Sequence, residues 1–166
     1  MSLHELDFTN THRLLAQFTS TSHPSFPAFL DTLLAVASSS SAPTGKEDWT
    51  AFLSTYEERL ALEPSDVSTT RRTRMEGANA RFTLRQWVLE ETIAKLSSPD
   101  TRATEGKEQL ERVLYMATHP FEAYGEAEVG VTDEGEKCPT KDEQEKRRLC
   151  AVGPSTMIGF QCSCSS

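Results

Sequence analysis

The sequence RFTLRQWVLEETIAKLS, residues 81–97, gives the strongest helical pattern in the chain. Its apolar side chains recur at steps of three and four, which predicts a helix over residues 81–97. They lie on two sides of this helix, with Leu84, Trp87 and Val88 on one, which also carries Glu91, and Phe82, Leu89, Ile93 and Leu96 on the other. A helix that is apolar on two sides packs against more than one neighbour, so we expect this one to be central in its bundle.

Helical periodicity extends outward from this stretch over most of the first 120 residues. Apolar residues at helical spacing mark four further segments, which are residues 3–18, 26–37, 49–60 and 105–118. In the last of these, Leu110, Val113, Leu114 and Ala117 are expected to point inward. The strict alternation of a multistranded sheet is absent. The prediction is an all-α bundle of about five or six helices with an irregular C-terminal tail.

The composition changes after Phe121, where charges and glycines become frequent and large apolar residues become rare. A segment of this kind cannot bury enough apolar surface to order itself. We therefore expect a helical domain over residues 1–122, an acidic, disordered insertion over residues 123–148, and a tail over residues 149–166 that carries a Cys-x-Cys pair.

Charge and cysteine usage exclude several classes of protein. The net charge of −8 argues against a nucleic-acid partner and against a surface drawn to anionic lipid. No apolar run approaches the ~20 residues that span a bilayer. All four cysteines fall in the last 29 residues, unlike the cysteines of a secreted disulfide scaffold. We therefore expect an intracellular protein without nucleic-acid or membrane partners.

Sequence motifs for catalysis are missing from the chain. It contains no phosphate-binding glycine loop, no H-E-x-x-H and no kinase H-R-D or D-F-G. The four histidines, which are His4, His12, His23 and His119, do not pair at ligand spacing. We expect ordinary surface histidines, and neither a catalytic residue nor a metal or other cofactor within this chain.

Five arginines are concentrated in and just after RRTRMEGANARF, residues 71–82. They are Arg71, Arg72, Arg74, Arg81 and Arg85. One interpretation is a solvated basic stretch that pairs with the excess carboxylates of this acidic chain. The other is a contact for phosphate or for an acidic partner surface, since arginine clusters recognise phosphate.

The tail MIGFQCSCSS, residues 157–166, carries Cys162 and Cys164. Completion of a four-thiolate zinc site by Cys138 and Cys150 is one hypothesis, although the spacing is unlike the usual pairs. A disulfide within Cys-x-Cys closes a small, strained ring that is easily reduced. The remaining hypotheses are a disulfide from the accessible tail to a cysteine elsewhere and an inert tail.

Several segments together resemble the C-terminal region of the selenoprotein O family of protein adenylyltransferases. They are DWTAFLSTYEERLALE (residues 48–63), MEGANARFTLRQWVLEETI (residues 75–93), HPFEAYGE (residues 119–126) and the terminal CSCSS. Ala80 and Gln86 depart from the proline and asparagine of the family pattern, and the acidic insertion is unusually long. The resemblance covers nearly the whole chain.

The resemblance implies that the chain is the helical C-terminal portion of a larger, pseudokinase-like fold. The intact family protein transfers AMP from ATP to protein Ser, Thr or Tyr hydroxyls, with ATP and magnesium bound in the preceding kinase-like region. This chain would lack that site and would act as a structural brace with a redox-responsive tail, in which Cys164 is the redox residue and Cys162 its partner. The implied partners are the kinase-like region and the protein substrates, and the implied location is the mitochondrion. A free-standing helical interaction module without catalytic activity is the alternative.

Overall fold

The computed structural model describes residues 6–36, 45–100, 102–126 and 139–154, and over these ranges it confirms the all-α fold. A π-helical turn (Arg102–Gly106) leads directly into the sixth α-helix. The α-helices in the described ranges are α1 (Phe8–Leu15), α2 (Phe26–Ala35), α3 (Lys46–Leu60), α4 (Ser65–Ala78), α5 (Gln86–Ser97), α6 (Lys107–Thr118) and α7 (Lys141–Leu149). They exceed the expected five or six because α7 forms where disorder was predicted.

The first three helices surround one hydrophobic core, which we call the N-terminal cluster. Its buried residues are Leu6, Leu14, Leu15, Phe18, Phe29, Leu30, Leu33, Leu34, Trp49 and Leu53. Phe18 is at its aromatic centre, with its ring centroid 5.5 Å from that of Phe29 and 5.9 Å from that of Tyr56. Helix α4 contributes Met75 to the rim of this cluster. Most of the apolar face of each of the three helices is thus buried within the chain, while Phe8 of α1 and Phe52 of α3 remain exposed.

Helices α5, α6 and α7 surround a second core, the C-terminal cluster. Its buried residues are Phe82, Trp87, Val88, Val113, Met116, Tyr124, Leu149 and Cys150. Helices α5 and α6 run antiparallel, because Gly106 lies against Lys95 and Leu96 while Gln109, further along α6, bonds back to Glu91. A Cβ at Gly106 would stand 3.0 Å from the Lys95 carbonyl oxygen, so this close approach of the helices favours glycine.

One polar side of α1 joins the two clusters. Asp7, Asn10 and Arg13, which we call the α1 polar seam, are spaced three residues apart and point toward the C-terminal half. Asp7 accepts hydrogen bonds of 2.5 and 3.0 Å from Arg85, and Asn10 accepts one of 2.6 Å from Arg81. Burial opposes ionisation of Asp7, but the hydrogen bonds from Arg85 and from the Asn10 amide outweigh it and lower the pKa of Asp7.

Arg13 is the most deeply buried member of the seam, with 3% of its side chain exposed. It forms an ion pair of 2.5 Å with Glu126, which is 11% exposed. It also donates to the main-chain oxygens of Glu76 at 2.9 Å and Asn79 at 3.1 Å. One side chain therefore joins α1, the end of α4 and the segment after α6, and its charge is fully compensated.

Helix α5 begins at Gln86, five residues later than the predicted helix over 81–97. Arg85 is extended, with φ −85° and ψ 153°, and the amides of Arg81 and Phe82 both donate to the Pro120 carbonyl oxygen. These contacts to a distant segment replace the helical bonds. They insert Phe82 into the core, where it is 2% exposed.

Residues 141–148 also differ from the prediction, since they form most of α7 and not a disordered insertion. Thr140 and Glu143 make a capping box, in which the Glu143 amide donates to Thr140 Oγ1 and the Thr140 amide donates to Glu143 Oε2. Leu149 then fixes the helix end in the core with no exposed surface. One buried leucine and a good cap thus order a very polar segment. Residues 127–138 lie outside the described ranges.

Candidate functional site

The five arginines predicted as a phosphate or partner contact are not brought to one place. Arg81 and Arg85 bond to the α1 polar seam and therefore stabilise the fold. Arg72 forms an exposed ion pair of 2.8 Å with Glu76 on its own helix. The structure assigns these three arginines to contacts within the chain. Only the other two, Arg71 and Arg74, line an open groove.

That groove, the α3–α4 groove, lies between the second half of α3 and α4 and has a volume of about 480 Å³. Both helices present residues at positions i, i+3, i+4 and i+7, which form one helical face. Helix α3 contributes Tyr56, Arg59, Leu60 and the following Glu63, and α4 contributes Arg71, Arg74, Met75, Ala78 and the following Asn79.

The apolar part of the groove centres on Met75. The Tyr56 hydroxyl lies 3.9 Å from Met75 Sδ, and Arg71 Nη1 lies 3.7 Å from the same sulfur. Arg71 is held in place by main-chain oxygens at the end of α1, because it donates to Leu15 at 3.0 Å and to Phe18. Its guanidinium is therefore positioned by the fold without being neutralised by a carboxylate.

The groove is positively charged in an acidic chain. Within the ranges that the structure describes, Arg59, Arg71 and Arg74 form no ion pair. Among the lining residues whose side chains the structure describes, Glu63 is the one carboxylate, so this lining carries an excess of positive charge. Arg59 and Arg74 are exposed, and they face solvent from the two walls.

A second surface feature is an apolar strip along α5 and α6. Its members are Leu89, Ile93, Leu110 and Leu114, with exposures of 38, 54, 46 and 62%. Each directly follows a buried residue of the contact between the helices, namely Val88, Thr92, Gln109 and Val113. A step of one residue along a helix turns the side-chain direction by about 100°. Because α5 and α6 run in opposite directions, this step turns the side chains of both helices toward the same side of the pair. The four side chains therefore share one surface.

The strip corrects the expectation for α6. Val113 is buried as predicted, but the inward prediction is wrong for Leu110, Leu114 and Ala117, which are exposed. The buried face of α6 consists of Gln109, Val113 and Met116. Sequence periodicity identified an apolar helix without showing which of its two apolar sides meets α5.

Of the four cysteines, the structure describes Cys150. It is a free thiol with 1% exposure, and its main-chain oxygen accepts a hydrogen bond of 3.2 Å from Asn10. Burial raises the pKa of Cys150 to about 11, with positive charge from Arg81 acting in the opposite direction. Cys150 is therefore a poor nucleophile. Cys138 and the predicted redox residues Cys162 and Cys164 lie outside the described residues.

The structure describes the C-terminal segment as far as Pro154. Gly153 has φ +93° and lies against the Trp87 indole, where a Cβ would be 2.3 Å from Nε1. Glycine is thus required there both by backbone conformation and by space. The Arg148 guanidinium lies over the same indole ring, 5.3 Å from the Trp87 ring centroid. The chain therefore leaves the described structure beside α5.

The described histidines make local contacts. His12 bonds to the Phe8 carbonyl oxygen, His23 to Ser25, and His119 stacks on Tyr115. In the described part of the chain, no three His, Cys, Asp or Glu residues are grouped so that they could hold a metal ion. The helices in the same ranges include none that combines the length and apolarity needed to cross a membrane.

One residue of the groove escaped sequence reasoning. Arg59 was missed because it stands alone in α3, although the spacing of Tyr56, Arg59, Leu60 and Glu63 on one helix face was available as a signal.

Comparison with known proteins finds no matching family model, no matching curated protein and no matching solved structure.

Proposed function

We propose that this chain serves as the helical C-terminal part of a selenoprotein O-like protein adenylyltransferase, bracing a kinase-like region and carrying a redox-responsive tail. The sequence resemblance motivates this proposal. The observation that carries its bracing part is the apolar strip on α5 and α6.

The strip has the chemistry of a docking surface. Burying a fully exposed leucine or isoleucine contributes roughly 1.5–3 kcal/mol, and the strip residues, which are 38–62% exposed, would contribute about half of that each. Four such residues on one side of a helix pair form a contiguous apolar area of the kind that marks interaction sites. Lys107 and Glu111, which neighbour Leu110 on α6, are exposed and supply a polar rim. The partner we propose for this strip is the kinase-like region.

The chemistry would belong to that partner. AMP transfer from ATP to hydroxyls of protein substrates needs a nucleotide site and magnesium, and we propose that both lie in the kinase-like region. In the AMP-transfer reaction this chain would supply positioning. The mitochondrial location implied by the resemblance is part of the same proposal.

Binding in trans tests the brace. The kinase-like region of a selenoprotein O protein, prepared without its own helical C-terminal part, is titrated with this chain, and AMP incorporation from labelled ATP is followed. We expect saturable binding and increased AMP transfer. Ile93→Asp and Leu114→Asp should each weaken binding at least tenfold, because a buried carboxylate without a partner is costly.

Leu62→Asp is the matched control, because Leu62 is 77% exposed and lies outside the strip. It should bind like the wild type. Equal binding by all variants would contradict docking through the strip. Titration of the chain alone with magnesium-ATP should give no heat of binding, and micromolar affinity would contradict the assignment of the nucleotide site to the partner.

The redox part of the proposal concerns Cys164 and Cys162. Cys164 lies ten residues beyond Pro154, and a fully extended segment of that length reaches at most about 35 Å. A thiol at such a distance can approach a second thiol. The two thiols would form one disulfide by giving two electrons and two protons either to another disulfide, which becomes two thiols, or to a peroxide, which is reduced to water or an alcohol.

Differential alkylation with mass spectrometry tests it, and Cys150 is the internal control. Cys150 should label most slowly because it is buried and its pKa is raised to about 11. Cys164 should label fastest and form a disulfide under mild peroxide. If Cys164 labels no faster than Cys138 and peroxide leaves it reduced, the redox role is refuted.

A free-standing interaction module is the second candidate function, and the same strip favours it. The discriminating observation is the reading frame upstream of Met1. A kinase-like coding region joined in frame supports the brace. Binding of the strip to other proteins, but not to the kinase-like region, supports the free-standing module.

A further inference from the structure

The α3–α4 groove combines an apolar floor with positive charge, and it is separate from the strip on α5 and α6. We propose that this groove binds a phosphate monoester that carries an apolar group. This proposal does not depend on the proposed brace or on the redox tail.

The charge of the groove argues for an anion. Arg59, Arg71 and Arg74 line it, and Glu63 is the single opposing carboxylate among the described lining side chains, in a chain whose net charge is −8. Excess arginines on a surface usually pair with carboxylates, and Arg72 does so with Glu76 one turn away. The groove arginines have no such partner within the described residues. A phosphate monoester carries a charge of about −1.5 to −2 near neutral pH and accepts several hydrogen bonds from guanidinium groups.

Arg71 makes the site more than a set of mobile surface charges. Its two terminal nitrogens are bonded to main-chain oxygens of Leu15 and Phe18, which fix the guanidinium at the groove wall. A charge that is already held loses less conformational entropy when a ligand binds. Arg59 and Arg74 are exposed, one on each helix, so both can reach a ligand in the groove.

The apolar floor argues against a bare phosphate ion. Tyr56, Leu60, Met75 and Ala78 occupy the groove-facing positions between the arginines. Methionine adapts to irregular apolar shapes, and its sulfur here contacts both the Tyr56 hydroxyl and Arg71. The volume of about 480 Å³ is within the range of small-molecule sites, about 300–1,000 Å³. A ligand with both a phosphate and an apolar body uses both parts of the groove.

Titration of the isotope-labelled chain with octyl phosphate, monitored by NMR, tests the proposal. Saturable shifts should appear at Tyr56, Leu60, Met75 and Ala78. Inorganic phosphate and octanol, which each supply one half of the ligand, should bind at least tenfold more weakly. If inorganic phosphate or octanol binds as tightly as octyl phosphate, or if the titration with octyl phosphate does not saturate, the proposal is overturned.

Three charge-neutralising variants locate the site. Arg59→Gln and Arg74→Gln should each weaken octyl phosphate binding about tenfold, since each removes a charge-assisted hydrogen bond. Arg72→Gln is the matched control, because Arg72 is on the same helix as Arg74 but outside the groove lining. Circular dichroism melts confirm that each variant is folded. An equal loss with Arg72→Gln would show unspecific attraction and overturn the site.

A soluble phosphate ester and a lipid headgroup share this chemistry, and vesicles distinguish them. Flotation with phosphatidylcholine vesicles that contain phosphatidic acid is compared with flotation on phosphatidylcholine alone. Selective flotation that Arg74→Gln abolishes identifies a lipid source. Octyl phosphate binding without flotation identifies a soluble ester.

Discussion

The two hydrophobic clusters differ in how completely they use the apolar surface of their helices. In the N-terminal cluster, α1, α2 and α3 bury Leu14, Leu33 and Leu53 against one another, and most of the apolar side of each helix is covered. Phe8 of α1 and Phe52 of α3 are the exposed exceptions. In the C-terminal cluster, α5 and α6 have two apolar sides and bury one. The other side is the strip, which remains exposed to solvent.

Because of this difference, we expect the N-terminal cluster to contribute to stability and the strip to serve interaction with a partner. Apolar side chains that are buried within the chain stabilise the fold, whereas an exposed apolar surface can stabilise a complex when a partner covers it. The polar seam between the clusters makes the comparison testable. It joins the two halves through charges and hydrogen bonds. Substitutions can therefore be placed in either cluster or in the seam, and their effects on stability can be compared.

The largest effect is expected from Arg13→Met, which removes the central contact of the seam. Glu126 and the main-chain oxygens of Glu76 and Asn79 lose their partner, and breaking a buried pair costs about 3–5 kcal/mol. Urea unfolding measures the change. Arg72→Met removes an exposed arginine that forms an ion pair with Glu76 on the helix surface, and it should cost at most about 1 kcal/mol. Equal effects of both substitutions would show that the seam is not a structural joint.

Leucine-to-alanine substitutions in each cluster compare the two cores directly. Leu53 and Leu149 both have no exposed surface, so each change should cost about 2–5 kcal/mol. Because the seam joins the clusters, each variant should unfold in one transition with a lower urea midpoint. Leu62→Ala, at an exposed position, should change stability by less than about 0.5 kcal/mol. Two separated transitions would contradict a single cooperative unit.

The pH dependence of the seam should be visible in Asp7→Asn. Asparagine preserves the helix N-cap but not the ion pair with Arg85, so the loss near neutral pH should be about 1.5–3 kcal/mol. The pKa of folded Asp7 is lowered. Its contribution is therefore present above about pH 4, the ordinary aspartate range, and disappears as pH falls through the folded value.

The difference in unfolding free energy between wild type and Asp7→Asn, measured by urea unfolding from pH 7 to pH 2.5, should therefore shrink below about pH 4. A difference that does not change with pH would contradict a charged contact at this position.

Helical periodicity was sufficient to predict the all-α class, because local spacing determines which segments form helices. It was not sufficient for the start of α5, which depends on bonds from Arg81 and Phe82 to the distant Pro120. It also missed α7, whose order comes from a capping box and one buried leucine. The arginine cluster was visible in the sequence, but its division between seam and groove follows from contacts between residues far apart in the chain.

The smallest effect on stability is expected in the strip. Leu114→Asp changes a side chain that is 62% exposed, so unfolding free energy should shift by less than about 0.5 kcal/mol. The same substitution should reduce self-association, because exposed apolar patches promote it. Sedimentation velocity over a range of concentrations should show association of the wild type and a cleaner monomer for Leu114→Asp. A wild type that is monomeric at every concentration would contradict this expectation.

Methyl NMR of the chain, labelled at isoleucine and leucine, tests most directly whether the uncovered strip is the docking surface. The kinase-like region of a selenoprotein O protein is added stepwise. The methyl signals of Leu89, Ile93 and Leu114 should shift or broaden, while those of the buried Leu33 and Leu53 in the N-terminal cluster should not. Changes at Leu33 and Leu53 with no change in the strip would contradict docking through α5 and α6.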